Sequence, residues 1–276
     1  MMSGNLYLVA TPIGNLEDIT FRAIKVLNEV DIIAAEDTRQ TLKLLNHYEI
    51  KKPLISYHRH NEEVKVDSLI QKLKAGNNIA IVSDAGTPII CDPGEVIVKE
   101  AIKHDIKIIP IPGACAFVNA LIISGLDTKE FSFYGFLSIN KKIRKEKLEE
   151  IKKENKTIIL YEAPHKIKST LEDLSKMIGD RKIVIVRELT KIHEECIRGT
   201  ANEILDKYVE PKGEHIILIE GNNLKIEDEK IEKLKEMTIE EHYKYYEIQG
   251  FNKNEIIKKI AKDRKVSKNE IYKLFI

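Results

Sequence analysis

The sequence predicts an α/β protein with a helical tail, and three observations carry that prediction. Short β-rich apolar runs alternate with amphipathic stretches over residues 5–130, the pattern of strands joined by crossover helices. The alternation restarts at Phe131 and runs to Glu220. After Gly221 the chain turns to Lys, Glu, Ile and Tyr at helical spacing with no strand-like run. The expected organisation is therefore an N-terminal α/β domain over 1–130, a second α/β domain over 131–222 and a small helical appendage over 223–276.

In order, the expected strands of the first block are Leu6–Ala10, Asp31–Ala35, Pro53–Tyr57, Ile79–Ser83 and Lys107–Ile111. The expected helices are Asp18–Glu29, Thr38–His47, Glu62–Ala75, Glu95–His104 and Ala114–Ser124, with Gly76 as the glycine closing the third. The second block reads as strand Phe131–Phe136, a basic helix over Lys141–Glu154, strand Thr157–Tyr161, helix His165–Met177, strand Lys182–Arg187, helix Asn202–Tyr208 and strand His215–Glu220. The tail reads as two helices around a turn, Asn252–Lys262 and Ser267–Phe275, with Ile256, Ile260, Ile271 and Leu274 at helical spacing.

Composition narrows the function. With 276 residues, 43% of them hydrophobic, the chain is long enough for two domains and too apolar for extended disorder. A net charge of +1 argues against a uniformly basic coat, so a polyanion must meet a local patch. Two patches qualify: residues 140–156 carry eight Lys and Arg against four Glu, and residues 251–276 carry eight against three acids. Either is a solvated face or a contact to nucleic-acid backbone. Cys91, Cys115 and Cys196 are odd in number and lack metal-ligand spacing, so no disulfide framework or metal site is expected and a reducing, cytoplasmic setting fits. The longest apolar run, Ile108 to Leu126, is broken by Pro110, Pro112, Gly113 and Asn119, and no secretory leader is evident, so a soluble protein without membrane contact is expected. Dinucleotide, P-loop, metalloprotease and nucleophile-elbow motifs are absent.

Ligands of parallel sheets bind beyond the carboxyl ends of strands, where helix N-termini converge. Three loops stand out there. Thr11-Pro12-Ile13-Gly14-Asn15 follows the first strand and can turn main-chain amides toward a ligand. Ser83-Asp84-Ala85-Gly86-Thr87-Pro88, then Asp92-Pro93-Gly94, makes a long polar loop whose acids suit a ribose hydroxyl or a cation, or equally cap a helix. Pro112-Gly113-Ala114-Cys115-Ala116 opens a helix with small residues, which suits either a flat ligand or close helix packing.

Taken with Ala35-Glu36-Asp37-Thr38-Arg39, Tyr57-His58-Arg59-His60-Asn61-Glu62, Tyr134-Gly135-Phe136-Leu137, Tyr161-Glu162-Ala163-Pro164-His165 and Arg187-Glu188-Leu189-Thr190-Lys191, these loops resemble the tetrapyrrole-methylase-like, S-adenosylmethionine-dependent methyltransferases, in the branch acting on small-subunit ribosomal RNA. The resemblance covers about residues 5–221. It implies two α/β domains with a cofactor cleft between them, a homodimer, and 2′-O-methylation of a cytidine in the decoding region of 16S rRNA, free or in the small ribosomal subunit. By position it implies that Pro12, Ile13, Asp84, Ala85, Gly86, Thr87, Cys115, Ala116, Glu162 and His215 hold S-adenosylmethionine. Thr-Pro-Ile-Gly-Asn and Ser-Asp-Ala-Gly-Thr-Pro depart from the first and second loops usual in members acting on tetrapyrroles, which disfavours a porphyrinoid substrate.

Methyl transfer from a sulfonium is an in-line displacement in which alignment outranks base catalysis. Asp37 and His58 are the candidate catalytic residues; Asp37 could equally be the N-cap of the helix that follows. Glu36, Thr38, Arg39, Arg59, His60 and Asn61 are the candidate RNA contacts, with the two arginines suited to phosphate. The competing readings are a relative that methylates a tetrapyrrole or a modified protein side chain, and a non-catalytic RNA-binding assembly factor.

Overall fold

The computed structural model describes residues 3–207, 213–222 and 232–275. The chain forms two compact units, 1–220 and 221–276. The end of the expected helix at Tyr208, and residues 223–231 of the expected appendage, lie outside the described residues.

The larger unit holds two five-stranded sheets. In the first, β1 (Leu6–Val9), β2 (Ile32–Ala35), β3 (Leu54–Ser56), β4 (Ile79–Val82) and β5 (Ile108–Ile111) are ordered β3-β2-β4-β1-β5 with every pairing parallel. Four-residue strands such as Ile79–Val82 are apolar throughout because both faces are covered. One core cluster, around Leu6, Leu69 and Ile79, covers one face, and another, around Leu27, Ile33 and Ala80, covers the other. After β1 the chain moves toward one edge of the sheet and after β4 toward the other. The loops after these neighbouring strands therefore open a crevice.

The connecting helices are α1 (Phe21–Glu29), α2 (Thr38–His47), α3 (Glu62–Lys74), α4 (Glu95–Lys103) and α5 (Ala116–Ser124). The first starts later than the expected Asp18. Thr20 caps it by accepting the Ala23 N–H at 3.0 Å, and Asn15 caps a separate short turn over Leu16–Asp18. Gly76, at φ 98°, does end α3 as expected.

The second sheet comprises β6 (Phe131–Phe136), β7 (Thr157–Glu162), β8 (Ile183–Arg187), β9 (Glu195–Gly199) and β10 (His215–Ile219), ordered β6-β7-β10-β8-β9. Only β6 and β7 are parallel; β10 lies antiparallel between β7 and β8, and β8 and β9 form an antiparallel pair. Strand β9 was not expected. Its half-exposed, five-residue ECIRG carries too few apolar residues for a periodic signal, and its partner β8 holds it through the Arg187–Glu195 ion pair at 2.5 Å. Helices α6 (Lys141–Lys153), α7 (Ile167–Ile178) and α8 (Ala201–Lys207) cover one face. On the other face lie Ala120 and Leu121 of α5, so this helix, which precedes the expected boundary at 130, buries its apolar side on the second sheet.

The smaller unit contains α9 (Ile239–Glu247), α10 (Lys253–Arg264) and α11 (Lys268–Lys273) around Leu234, Tyr246, Ile256, Ile257, Ile260 and Ile271. Thr238 and Asn252 begin α9 and α10 with reciprocal capping boxes. The tail helices are close to those expected, although Leu274 is exposed rather than part of the core.

No helix among the described residues is long and apolar enough to cross a membrane, and no cluster of potential metal ligands occurs among them.

Candidate active site

The three loops singled out in the first sheet are laced together. Thr11 and Gly86 exchange backbone hydrogen bonds at 2.9 and 3.1 Å. Thr87 Oγ1 donates to the Ala114 carbonyl at 3.0 Å, joining the loops after β4 and β5. Asp84 Oδ1 accepts the Asp37 N–H at 2.9 Å and brings in the loop after β2.

These loops face the second sheet across a cavity of about 410 Å³. Ile13, Ala85, Gly86, Thr87, Cys115 and Ala116 line it from the first side, with Glu162 and His215 opposite. Eight of the ten residues expected at the cofactor thus meet at one cavity. Pro12 and Asp84 stand outside its lining. Glu162 and His215 are cross-strand partners on β7 and β10, and His215 also pairs with Arg187 on β8. The antiparallel placement of β10 puts its N-terminal end beside the C-terminal ends of β7 and β8. Glu162 is buried and braced by the Thr170 hydroxyl at 2.5 Å and the Ala163 N–H at 2.9 Å. Burial, with Arg187 adding to it, pushes His215 down to about 4, so its ring is neutral at pH 7.

One contact joins the two sides beside the cavity. The β8–β9 connection reaches the first loop, where Asn15 N–H donates to Thr190 Oγ1 at 3.0 Å. A Cβ on Gly14 would lie 2.7 Å from that oxygen and 2.8 Å from the Leu189 carbonyl oxygen, so only glycine allows this approach.

The residues expected to be catalytic or to touch RNA lie beside the cavity rather than in its lining. Asp37 is the N-cap of α2: its Oδ1 accepts the Arg39 N–H at 2.8 Å, and the Arg39 guanidinium grips both carboxylate oxygens at 3.0 and 2.7 Å. These bonds hold Asp37 down at about 2, a poor proton acceptor. Its partner Arg39 is exposed, and Thr38 opens α2. Asn61 Oδ1 accepts the His58 N–H at 2.9 Å, while its amide nitrogen faces the Ser56 carbonyl at 3.3 Å and His58 Nε2 at 3.1 Å. In a neutral ring the proton then sits on Nδ1, which is buried without a hydrogen-bond partner, and no lone pair is left for a base. His60 stacks edge-on against His58 with centroids 6.0 Å apart. Arg59 donates to the Cys91 carbonyl and so clamps the loop after β4. Glu36 is half-buried; burial, then repulsion from Asp92 and Asp84, raises its carboxyl to about 7 against the pull of Arg59.

Phe136, Tyr161, Arg187, Glu188 and Glu214 also line the cavity without standing among the residues expected there, and so does the loop acid Asp92. Asp92 was visible as a loop acid but not separable from a helix cap. Gly94, not Asp92, occupies the cap position of α4. Phe136, Tyr161, Arg187 and Glu188 lay inside family-like motifs, and only the mixed pairing of the second sheet brings them to one wall.

The architecture is that of the tetrapyrrole-methylase fold. The chain matches the family of Tetrapyrrole (Corrin/Porphyrin) Methylases over residues 5–205. Among solved structures, diphthine synthase aligns with a TM-score of 0.63 at 16% identity, covering 79% of this chain and 90% of that one. The uroporphyrin-III-C-methyltransferase of Thermus thermophilus aligns with a TM-score of 0.57 at 17% identity, covering 79% and 94%. Proteins named ribosomal RNA small subunit methyltransferase I are far nearer in sequence: that of Halalkalibacterium halodurans is 51% identical, with 99% of this chain and 94% of the relative aligned. The Bacillus subtilis protein is 51% identical over 98% and 93%. This chain belongs to the ribosomal RNA small subunit methyltransferase I family.

Proposed function

We propose that this chain transfers the methyl group of S-adenosylmethionine to the 2′-hydroxyl of a cytidine ribose in the decoding region of 16S rRNA, in a cytoplasmic setting. Half-identity over nearly full length to small-subunit rRNA methyltransferases is the observation that carries the rRNA substrate. The cavity fits the donor. Its volume of about 410 Å³ lies in the usual range for small-ligand sites, about 300–1,000 Å³. Gly86 keeps it open, since a Cβ there would sit 3.0 Å from Ile13 Cγ2 at a φ of +82°. Phe136, Tyr161 and Leu189 offer apolar faces, and Glu188 and Glu214 offer carboxylates toward a cationic ligand.

When bound, the donor supplies a methyl carbon on a positively charged sulfur whose departure leaves a neutral thioether. Ala85, Gly86 and Ala116 let the ligand approach backbone closely, and the Asn15–Thr190 contact joins the two sides beside the cavity. Alignment of this kind supplies roughly 7–11 kcal/mol of a barrier.

The RNA is held by local basic surface. Exposed Lys258, Lys262, Lys265, Lys268 and Lys273 of the smaller unit suit backbone phosphate. A second copy of the chain is the partner proposed for α5, which is apolar along most of its length yet leaves Val118 and Ile122 42% and 66% exposed. Ile122→Glu should convert a dimer to monomer in sedimentation.

Small subunits from a strain lacking the enzyme provide the test. Labelled methyl should appear as 2′-O-methylcytidine in digests analysed by mass spectrometry; label on a base, or no transfer, overturns the reading. Lys258→Glu with Lys262→Glu should weaken RNA binding and flatten its salt dependence while sparing donor affinity.

A further inference from the structure

We propose that Asp92, backed by Glu36, accepts the hydroxyl proton during methyl transfer, in place of Asp37 or His58. The proposal rests on the ribose-methylating reading above and adds to it the group that receives the proton.

The cavity selects Asp92. It lines the space in which donor and acceptor would meet, and it is half-buried there. The other carboxylates on the lining are differently placed. Glu162 spends its oxygens on Thr170 and Ala163, Glu188 pairs with Lys191 at 3.0 Å, and Glu214 is exposed. The Asp37 carboxylate is gripped by Arg39, and His58 Nε2 faces the Asn61 amide. The loop bearing Asp92 is also over-determined. Ile89 and Cys91 hold left-handed backbone at φ 77° and 65°, costly for a β-branched residue, while Arg59 grips the Cys91 carbonyl and Glu62 Oε2 accepts the Gly94 N–H at 3.1 Å.

Burial above all raises Asp92 to about 6, with Asp84 and Glu214 adding to it against the pull of a Ser83 hydrogen bond and Arg59. Glu36, raised to about 7, faces Asp92, Asp84 and Arg59. A carboxylate in this range is ionised at neutral pH yet basic enough to take a proton as the oxygen loses it. In the step, the ribose oxygen forms a bond to the methyl carbon, the carbon–sulfur bond breaks with its electron pair kept by sulfur, and the hydroxyl proton passes to Asp92. The proton then leaves Asp92 for solvent.

The test is single-turnover methyl transfer to small-subunit rRNA as a function of pH, beside calorimetry with S-adenosylmethionine and carboxyl-carbon NMR titration of the ligand-free protein. Wild-type rate should rise with pH through an inflection matching the NMR titration of Asp92. Asp92→Asn should slow transfer by about 10²–10⁴-fold and remove that rise while donor affinity stays near wild type. Asp92→Glu should restore part of the rate, and Asp92→Asn should lower the NMR titration of Glu36, which the Asp92 charge raises. Where Asp92→Asn fails to fold, the rate and pH profile of Asp92→Glu decide. An Asp92→Asn enzyme with wild-type rate and pH profile, or an Asp92→Glu enzyme whose rate inflection does not follow the NMR titration of the substituted carboxyl, overturns the proposal alone. A wild-type protein that methylates no ribose overturns the functional reading and this proposal together.

Discussion

The two sheets of the larger unit contribute to one cavity in different ways. In the first, five parallel strands aim their C-terminal ends in one direction, so the loops after β1, β4 and β5 converge and hydrogen-bond to one another. In the second, the wall is built from strand ends of mixed direction. Tyr161 and Glu162 close β7, Arg187 closes β8, and His215 opens β10. A parallel sheet makes a binding edge from its connections, whereas a mixed sheet makes one from side chains in register. The first edge is therefore legible as loop motifs and the second only as a pairing pattern.

Core truncation gives the largest expected effect and tests whether each sheet has its own core. Ile79 of the first sheet and Ile217 of the second are both fully buried. Replacing either with Ala should cost about 2–5 kcal/mol in denaturant unfolding. Faster hydrogen exchange confined to the substituted sheet would sustain the division; exchange spread equally through both would break it. The seam comes next. Gly14→Ala, forced against the Leu189 carbonyl, should cost about 1–3 kcal/mol and weaken donor binding in calorimetry, while Thr190→Val should do the same more mildly. Asp37→Ala removes a helix cap, with an expected cost of about 0.5–2 kcal/mol and turnover largely kept. A collapse of turnover without loss of stability would return Asp37 to catalysis.

The smallest effect concerns pH. Asp92 and Glu36 have folded values near 6 and 7, above their ordinary 3.8 and 4.5. The unfolded chain therefore releases these protons first, and the pair lowers stability progressively as pH rises from about 4 to about 7. Asp92→Asn and Glu36→Gln should raise Tm at pH 8 and leave it nearly unchanged at pH 4. Partial exposure keeps the gain modest. His215 behaves oppositely, since its folded value of about 4 lies below the usual 6.5. Its contribution is present above pH 6.5 and lost as pH falls toward 4.

Most of the strands and helices are readable in the sequence because apolar periodicity and caps are local. The same local signals place Val9-Ala10-Thr11-Pro12-Ile13-Gly14-Asn15 and Ser83-Asp84-Ala85-Gly86-Thr87-Pro88 at the ends of strands. Strand β9 escapes because a short, half-exposed strand draws its stability from its partner rather than from its own pattern. Asp37 cannot be sorted from Asp92 by sequence, since a helix-capping carboxylate and a cavity-facing one have the same local grammar. Which one is held low and which is raised depends on Arg39 in one case and on burial beside distant Asp84 and Arg59 in the other.

By itself, the sequence determined the alternation of elements, the apolar faces that each sheet buries and the identity of the loops at the first sheet's edge. These depend on side-chain spacing and on the backbone preferences of Gly, Pro, Asn and Thr, which act over a few residues. Tertiary structure alone decided that β10 inserts antiparallel between β7 and β8, that α5 crosses to the second sheet and that Gly14 meets Leu189. It also decided which carboxylate is desolvated. Burial and charge repulsion are sums over neighbours brought together from far apart in the chain, and no local stretch of sequence contains them.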